Sequence, residues 1–183
     1  MARSGADIAG IDICQTVDPR SGVTPSTERD LDETGKLVEA TGQTWRKFVL
    51  DQRNLDGLRS AAEKVERESG GIDILFANAG IQAFRSILEM EDPDWHIQID
   101  VNLTGTANAI RAFAPSMVKR GGGRIIVTTS TQGRHGTMYG AAYSASKWGI
   151  IGLMKSGGPG TGAAWDHGKC IGSGIDRHAT HQA

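Results

Sequence analysis

The sequence predicts an α/β fold built on a parallel sheet. Two observations carry that prediction. Short apolar runs at residues 6–13, 45–50, 72–77 and 124–129 alternate with segments of helical periodicity. The runs are also apolar on both faces, as strands covered by helices on both sides are. The first run, Ala6 to Ile13, is short and rich in isoleucine. Cys14 to Ser26 holds two prolines and a glycine and reads as a loop. Thr27 is placed to cap a helix reaching about Thr41, with Leu31, Leu37 and Val38 as its inner stripe. Trp45 to Leu50 is a strand. Asn54 to Ser69 is a helix with Leu55, Leu58, Ala62 and Val65 at helical spacing, ended by Gly70-Gly71.

The third strand, Ile72 to Ala77, runs straight into Asn78-Ala79-Gly80. Asp92-Pro93 marks a helix start, with Asp as the cap and Pro in the first turn. One long helix is expected from there to about Lys119, broken by Gly121-Gly122-Gly123. Arg124 to Thr129 forms a fourth strand around Ile125, Ile126 and Val127, and a last helix spans about Ala141 to Lys155. No internal repeat is present.

Composition narrows the function classes. A chain of 183 residues suits one domain with a real core. The formal net charge of −1 gives no basic field for nucleic acid or an anionic membrane. No apolar run approaches a membrane span, and Met1 to Asp7 has no apolar signal-peptide core. Two cysteines, Cys14 and Cys170, make no disulfide framework, so a reducing, cytoplasmic setting is expected.

Tyr143 and Lys147 stand four apart on a predicted helix, which puts both on one face. That spacing alone is also common surface decoration. A phenol titrates near ~10, and bringing it to about 7 takes roughly 4 kcal/mol of differential stabilisation. A partly desolvated ammonium beside it can supply a large part. Ser130 follows the fourth strand, where parallel-sheet proteins place ligand-binding groups. Its hydroxyl can hold a carbonyl or alcohol oxygen while Tyr143 moves the proton.

The stretch from Ser130 through Gly133, Gly136 and Tyr143 to Lys147 resembles the short-chain dehydrogenase/reductase family. In that family a serine after a strand precedes Tyr-x-x-x-Lys on the next helix. Three further matches fall in order. Asn78-Ala79-Gly80 resembles the family's Asn-Ala-Gly motif. Asp100-Val101-Asn102-Leu103-Thr104-Gly105 is similar to the segment carrying its catalytic asparagine, and Asp51 to the residue contacting adenine. The resemblance covers about residues 4 to 156. It implies a Rossmann-like doubly wound parallel sheet and a nicotinamide-dependent interconversion of a secondary alcohol and a ketone. Tyr143 is then the general acid/base, Lys147 its activator and ribose ligand, and Ser130 the group orienting the substrate oxygen. Asn102 holds a water in the proton relay or bridges strand and helix backbones. Asp12, Asp51, Asn78, Ala79 and Gly80 face the cofactor together with Tyr143 and Lys147. An acidic Asp12 at the end of the first strand accepts ribose hydroxyls and repels a 2′-phosphate, so NAD is favoured over NADP. No metal is implied. The opening Gly-Ala-Asp-Ile pattern and the proline-bearing loop are similar to a bacterial subgroup related to carveol dehydrogenases and mycofactocin-associated enzymes, which suggests a small alicyclic or terpenoid alcohol. Family members are usually dimers or tetramers built on the helices around Asn102 and Tyr143 and on a C-terminal strand and helix.

Two departures bear on this reading. The family's Thr-Gly-x-x-x-Gly-x-Gly loop, which cradles the cofactor pyrophosphate, does not precede Asp12, and neither does the strand that carries it. That strand is central in the order 3-2-1-4-5-6, so the strands at residues 7–13 and 45–50 are expected to lose their connection to the rest of the sheet. The expectation is therefore an incomplete fold and no saturable NADH binding by the chain as written. At the other end, residues 157–183 are expected to be irregular. A disordered tail is one reading. A zinc site from Asp166, His167, Cys170, His178 and His181 is another, but the spacing fits no compact site. A third fits better. Back-translated and shifted by one base at codon 157, the tail can encode a Gly-Ile-Thr-Val-Asn strand and a Pro-Gly loop like those of the family. Residues 1–156 then form a partial dinucleotide-binding domain followed by an out-of-frame tail.

Overall fold

A computed structural model of the chain describes residues 1–22, 24–157 and 169–173. After a 3₁₀ turn at Ala2–Ser4 come β1 (Ile8–Asp12), α1 (Glu28–Glu39), β2 (Trp45–Val49), α2 (Leu55–Ser69) and β3 (Ile74–Ala77). Then follow α3 (Asp92–Gln98), a π-helical segment (Ile99–Thr104), α4 (Gly105–Lys119), β4 (Arg124–Ser130), α5 (Ala141–Gly157) and β5 (Lys169–Ser173). Every strand pairing is parallel.

The strands form two separate sheets, β1–β2 and β3–β4–β5. The split falls between β1 and β3, where the sequence lacks a strand. In the smaller sheet Ile8 aligns with Trp45 and Asp12 with Val49. Trp45 fixes this register from one side. Its ring fills the space above Gly10 and beside Gly35, where a Cβ would collide with it. In the larger sheet Ala77 aligns with Val127.

The core lies under the larger sheet. Leu58, Ala62 and Val65 of α2 meet Ile110, Phe113 and Met117 of α4 and Ile125 and Val127 of β4, with Ile150 and Met154 of α5. Helix ends follow local chemistry. Thr27 Oγ1 accepts from the Asp30 amide, and the Asp30 carboxylate accepts from the Thr27 amide, closing a capping box. Gly70 ends α2 in the left-handed region at φ 74°.

Four expectations are corrected. Leu37 is exposed, so the inner stripe of α1 is Leu31 and Val38 with Gly35 between them. The cap of α3 is Glu91 rather than Asp92, because the Asp94 carboxylate takes the Glu91 amide and Pro93 already lies in the first turn. The long helix to Lys119 is interrupted by the π segment, in which the Gly105 amide reaches back five residues to the Asp100 carbonyl. The tail is not irregular throughout, since Lys169–Ser173 adds to the edge of β4 as β5 and pairs a backbone ladder otherwise left open. Asp166, His167, His178 and His181 lie outside the described residues, as does the side chain of Cys170. Among the described residues no helix is long and apolar enough to cross a membrane.

Candidate active site

The residues singled out in the sequence gather into two clusters that meet at Gly80 and Ile81. The first surrounds a cavity of about 460 Å³ at the carboxyl ends of β1, β2 and β3. Asp12, Asp51, Asn78, Ala79 and Gly80 all line it. Strands of a parallel sheet end together, so their following loops converge on one opening. Asp12 closes β1, and its carboxylate accepts from the Cys14 amide at 2.7 Å and the Ser26 hydroxyl at 2.6 Å. Asp51 is held by Arg53 through the amide and the guanidinium, which keeps its carboxyl below the ordinary range against the opposing effect of burial. Asn78 accepts from the Thr128 hydroxyl at 2.9 Å, tying the Asn-Ala-Gly turn to β4.

The second cluster is buried. It holds Ser130, Tyr143, Lys147 and Asn102, and none of these lines the first cavity. The four come from three elements, the end of β4, the first two turns of α5 and the π segment. Lys147 donates to the Thr128 carbonyl at 3.0 Å, and its Nζ lies 5.5 Å from the centre of the Tyr143 ring. Burial lowers the Lys147 pKa to about 8, and among the described residues no carboxylate pairs with it. The ammonium is thus still the main form at neutral pH. Among the described residues the Tyr143 hydroxyl has no hydrogen-bond partner, which leaves it available to an incoming group. Ser130 accepts from the Gln132 amide at 3.2 Å.

Asn102 is fully buried, and its amide is spent on bridging. Its Oδ1 accepts from the Ile81 amide at 2.8 Å, and its Nδ2 donates to the Ile81 carbonyl at 2.9 Å and to Ser146 Oγ at 3.1 Å. Ser146, also fully buried, donates in turn to the Tyr143 carbonyl at 2.7 Å. Asn102 thus ties the loop after β3 to the Ser146 side chain of α5. Gly80 sits where both clusters touch. A Cβ there would come within 3.0 Å of Asn102 Oδ1 and 3.5 Å of Lys147 Nζ, so a side chain would fill the junction.

Several contributing residues gave no sequence signal. Ser146 lies hidden inside Tyr-Ser-Ala-Ser-Lys. Gln52 donates to the Ala79 and Val101 carbonyls and so holds the Asn-Ala-Gly turn against the π segment. Asp18 and Asp94 are buried and are bridged by Arg20, which pairs with both, while Arg85 also pairs with Asp94. This clasp fixes the loop after β1, several residues of which line the cavity, to the start of α3. The Gln52 bonds and the Arg20–Asp94 pair join segments far apart in the chain.

The residues present fit the two ends of a dinucleotide better than its middle. Acidic and amide groups surround the opening at Asp12, Asp51 and Asn78, and Gly80 leaves a close approach beside Lys147. No glycine-rich turn at a helix N-terminus lies between them among the described residues.

The short chain dehydrogenase family model matches residues 14–159. An uncharacterised NAD-dependent oxidoreductase of Mycobacterium tuberculosis is 38 % identical over 157 residues, covering 85 % of this chain and 57 % of that protein. The (−)-trans-carveol dehydrogenase of Rhodococcus erythropolis is 33 % identical over 158 residues with the same coverage of each. Among solved structures, carveol dehydrogenase from Mycobacterium avium in complex with NAD superposes with a TM-score of 0.82 at 35 % identity, over 86 % of this chain and 57 % of that one. A metagenomic short-chain oxidoreductase in complex with NADP matches with a TM-score of 0.72 at 30 % identity, over 86 % of this chain and 66 % of that one. The chain therefore spans little more than half the length of the curated relatives it matches. Match length, identity and fold agree, and the chain belongs to the short-chain dehydrogenase family.

Proposed function

We propose that the site belongs to an NAD-dependent oxidoreductase that interconverts a secondary alcohol and a ketone. The observation that carries this is the burial of Ser130, Tyr143 and Lys147 on β4 and α5, which pack together, with the Lys147 ammonium 5.5 Å from the centre of the Tyr143 ring. Ser130 holds the substrate oxygen. Tyr143 gives its proton to that oxygen in reduction and takes it back in oxidation. Lys147 stabilises the phenolate and offers hydrogen bonds to a ribose. Asn102 sets the position of α5 through Ser146, and a water held near it passes the proton outward. A nicotinamide bound at the junction supplies the two-electron redox partner. Asp12, Asp51, Asn78, Ala79 and Gly80 hold that cofactor, and Asp12 favours NAD over NADP.

The substrate we infer is apolar. Phe84, Met138 and Tyr139 are exposed, and the Arg85 amide donates to the Tyr139 carbonyl, so these side chains form a rim just before α5. A small alicyclic or terpenoid alcohol suits such a rim. The family's usual homodimer or homotetramer and a cytoplasmic setting complete the reading.

A second reading is favoured by the opening between β1 and β3. In it the 183-residue chain is a catalytically inactive fragment that cannot hold the cofactor by itself. Titration with NADH, followed by nicotinamide fluorescence, separates the two. Saturable binding that is lost in Asp12→Ala supports the first reading. No saturable binding by a folded chain supports the second. Residues 1–156 we assign to the dinucleotide-binding domain and residues 157–183 to an out-of-frame tail. Sequencing the DNA across codon 157 decides this, and an early stop in the shifted frame sinks it.

A further inference from the structure

We infer that Asp18, Arg20, Arg85 and Asp94 form a clasp that couples two walls of the site, the loop after β1 and the rim before α5, so that displacing either loosens the other. The ligands assigned to those walls rest on the oxidoreductase reading, whereas the coupling is a property of the chain alone. The loop side is a tight turn. The Ser21 amide donates to the Asp18 carbonyl at 3.0 Å. The Asp18 carboxylate accepts from the Arg20 amide at 3.0 Å and from its guanidinium at 2.8 and 3.2 Å. Thr16, Val17 and Ser21, on either side of this pair, line the cavity. That wall of the cavity therefore stays in place as long as Arg20 is held.

Arg20 is held by Asp94 in the first turn of α3. One oxygen of Asp94 pairs with Arg20, and the other pairs with Arg85 at 3.2 Å and accepts from the Glu91 amide at 3.2 Å. Arg85 belongs to the rim through its backbone, since its amide donates to the Tyr139 carbonyl at 2.8 Å. A single carboxylate is thus shared between the loop and the rim. Asp18 and Asp94 are only 3 % and 4 % exposed, while the two arginine side chains keep part of their surface in water. Carboxylates so buried need both guanidiniums to offset the loss of hydration. If the loop swings out, Asp18 leaves together with Arg20, but Asp94 is left with one oxygen bare and buried. Arg85 then has to shift to cover it, and the rim backbone moves with Arg85. Drawing Arg85 away bares the other oxygen and has the reverse effect. The cluster encloses a space of about 10 Å³, no more than one water needs, so these charges serve one another rather than a ligand. By linkage, an alcohol packed on the rim and a dinucleotide in the cavity each tighten the other's wall.

The test is amide hydrogen exchange on the full chain, read at Ser21 on the loop and at Arg85 on the rim. Arg20→Met is expected to speed exchange at Arg85 at least about tenfold, and Arg85→Met to speed it at Ser21 as much, with Ile125–Thr129 unchanged. In an Asp94→Asn background neither substitution is expected to act on the distant amide, because the shared carboxylate is gone. Arg59→Met, which breaks an exposed pair with Asp56 inside α2, is expected to change neither amide. Acceleration confined to the mutated side overturns the proposal, and so does a cross-effect that persists without the Asp94 carboxylate. If Ile125–Thr129 also lose protection, the clasp variants are compared with Ile150→Ala at equal core protection. Faster exchange at Ser21 and Arg85 in the clasp variants then upholds the coupling, and equal rates overturn it. A coupled response in a chain with no saturable NADH binding upholds the clasp and counts only against the oxidoreductase reading for this chain.

Discussion

The two sheet pieces of this molecule differ in how they are buried, although both are parallel and both feed the same cavity. In the β3–β4–β5 piece, Val127 is wholly buried, and α5 and α4 cover it with Ile150, Phe113 and Met117. In the β1–β2 piece no strand residue reaches full burial, and only Ile11 and Phe48 touch the main core. Ser130, Tyr143 and Lys147, proposed to move the proton, sit on the buried piece, and Asp12 and Asp51, proposed for the adenosine end, lie at or just after the ends of the strands of the looser one. On the proposed reading, proton transfer depends on the better buried piece and cofactor affinity on both.

Substitutions can break this contrast, and the largest effect is expected in the core. Ile150→Ala should cost about 2–5 kcal/mol of unfolding free energy, as large-to-small changes in packed cores do. Val49→Ala, on the half-exposed face of β2, should stay within about 0.5 kcal/mol. Urea denaturation of both variants measures the difference, and equal losses would dissolve the distinction.

Next comes Lys147→Met. Below pH 8 both the folded and the unfolded chain carry the Lys147 proton, and the cost of burying that charge is present in full. Between about 8 and the ordinary lysine value of 10.5 only the unfolded chain keeps the proton, so stability rises with pH. The shift corresponds to about 3 kcal/mol. The methionine variant is therefore expected to melt higher at pH 7, with its advantage gone above pH 10. A lower melting temperature at pH 7 would show that the bond to Thr128 outweighs the burial penalty. The smallest effect is expected from Ser146→Ala. It removes one partner of Asn102 and should destabilise by about 1 kcal/mol. No change in melting temperature would mean a water replaces the hydroxyl.

What the sequence made legible was local. The spacing of Tyr143 and Lys147, the Thr27 cap and the Gly70 stop all depend on residues within one or two helical turns. The split of the sheet was also foreseeable, because the gap follows from an absent strand. What escaped depends on distant partners. Gln52 reaches Val101, Asn102 reaches Ile81, and Arg20 reaches Asp94, and no periodicity encodes such pairs. The exposure of Leu37 escaped because an apolar residue at helical spacing is not bound to face the core. The β5 strand escaped because its pairing is set by the open edge of β4 rather than by its own composition.

The π segment at Ile99–Thr104 has a consequence for how this helix tolerates change in length. Its wider turn accommodates one residue more than a regular helix would over the same rise. One residue of an α-helix is a rotation of about 100°, so α3 and α4 share a rod while pointing their faces out of phase by roughly that angle. Deleting a single residue from the segment would let the whole rod relax into an ordinary helix with every turn bonded. That helix would be locally sound, yet either α3 would swing Asp94 away from its arginines or α4 would carry Phe113 out of the core. A shortening that improves the local geometry would thus damage the molecule at a distance, and insertions and deletions here should be tolerated far less than substitutions.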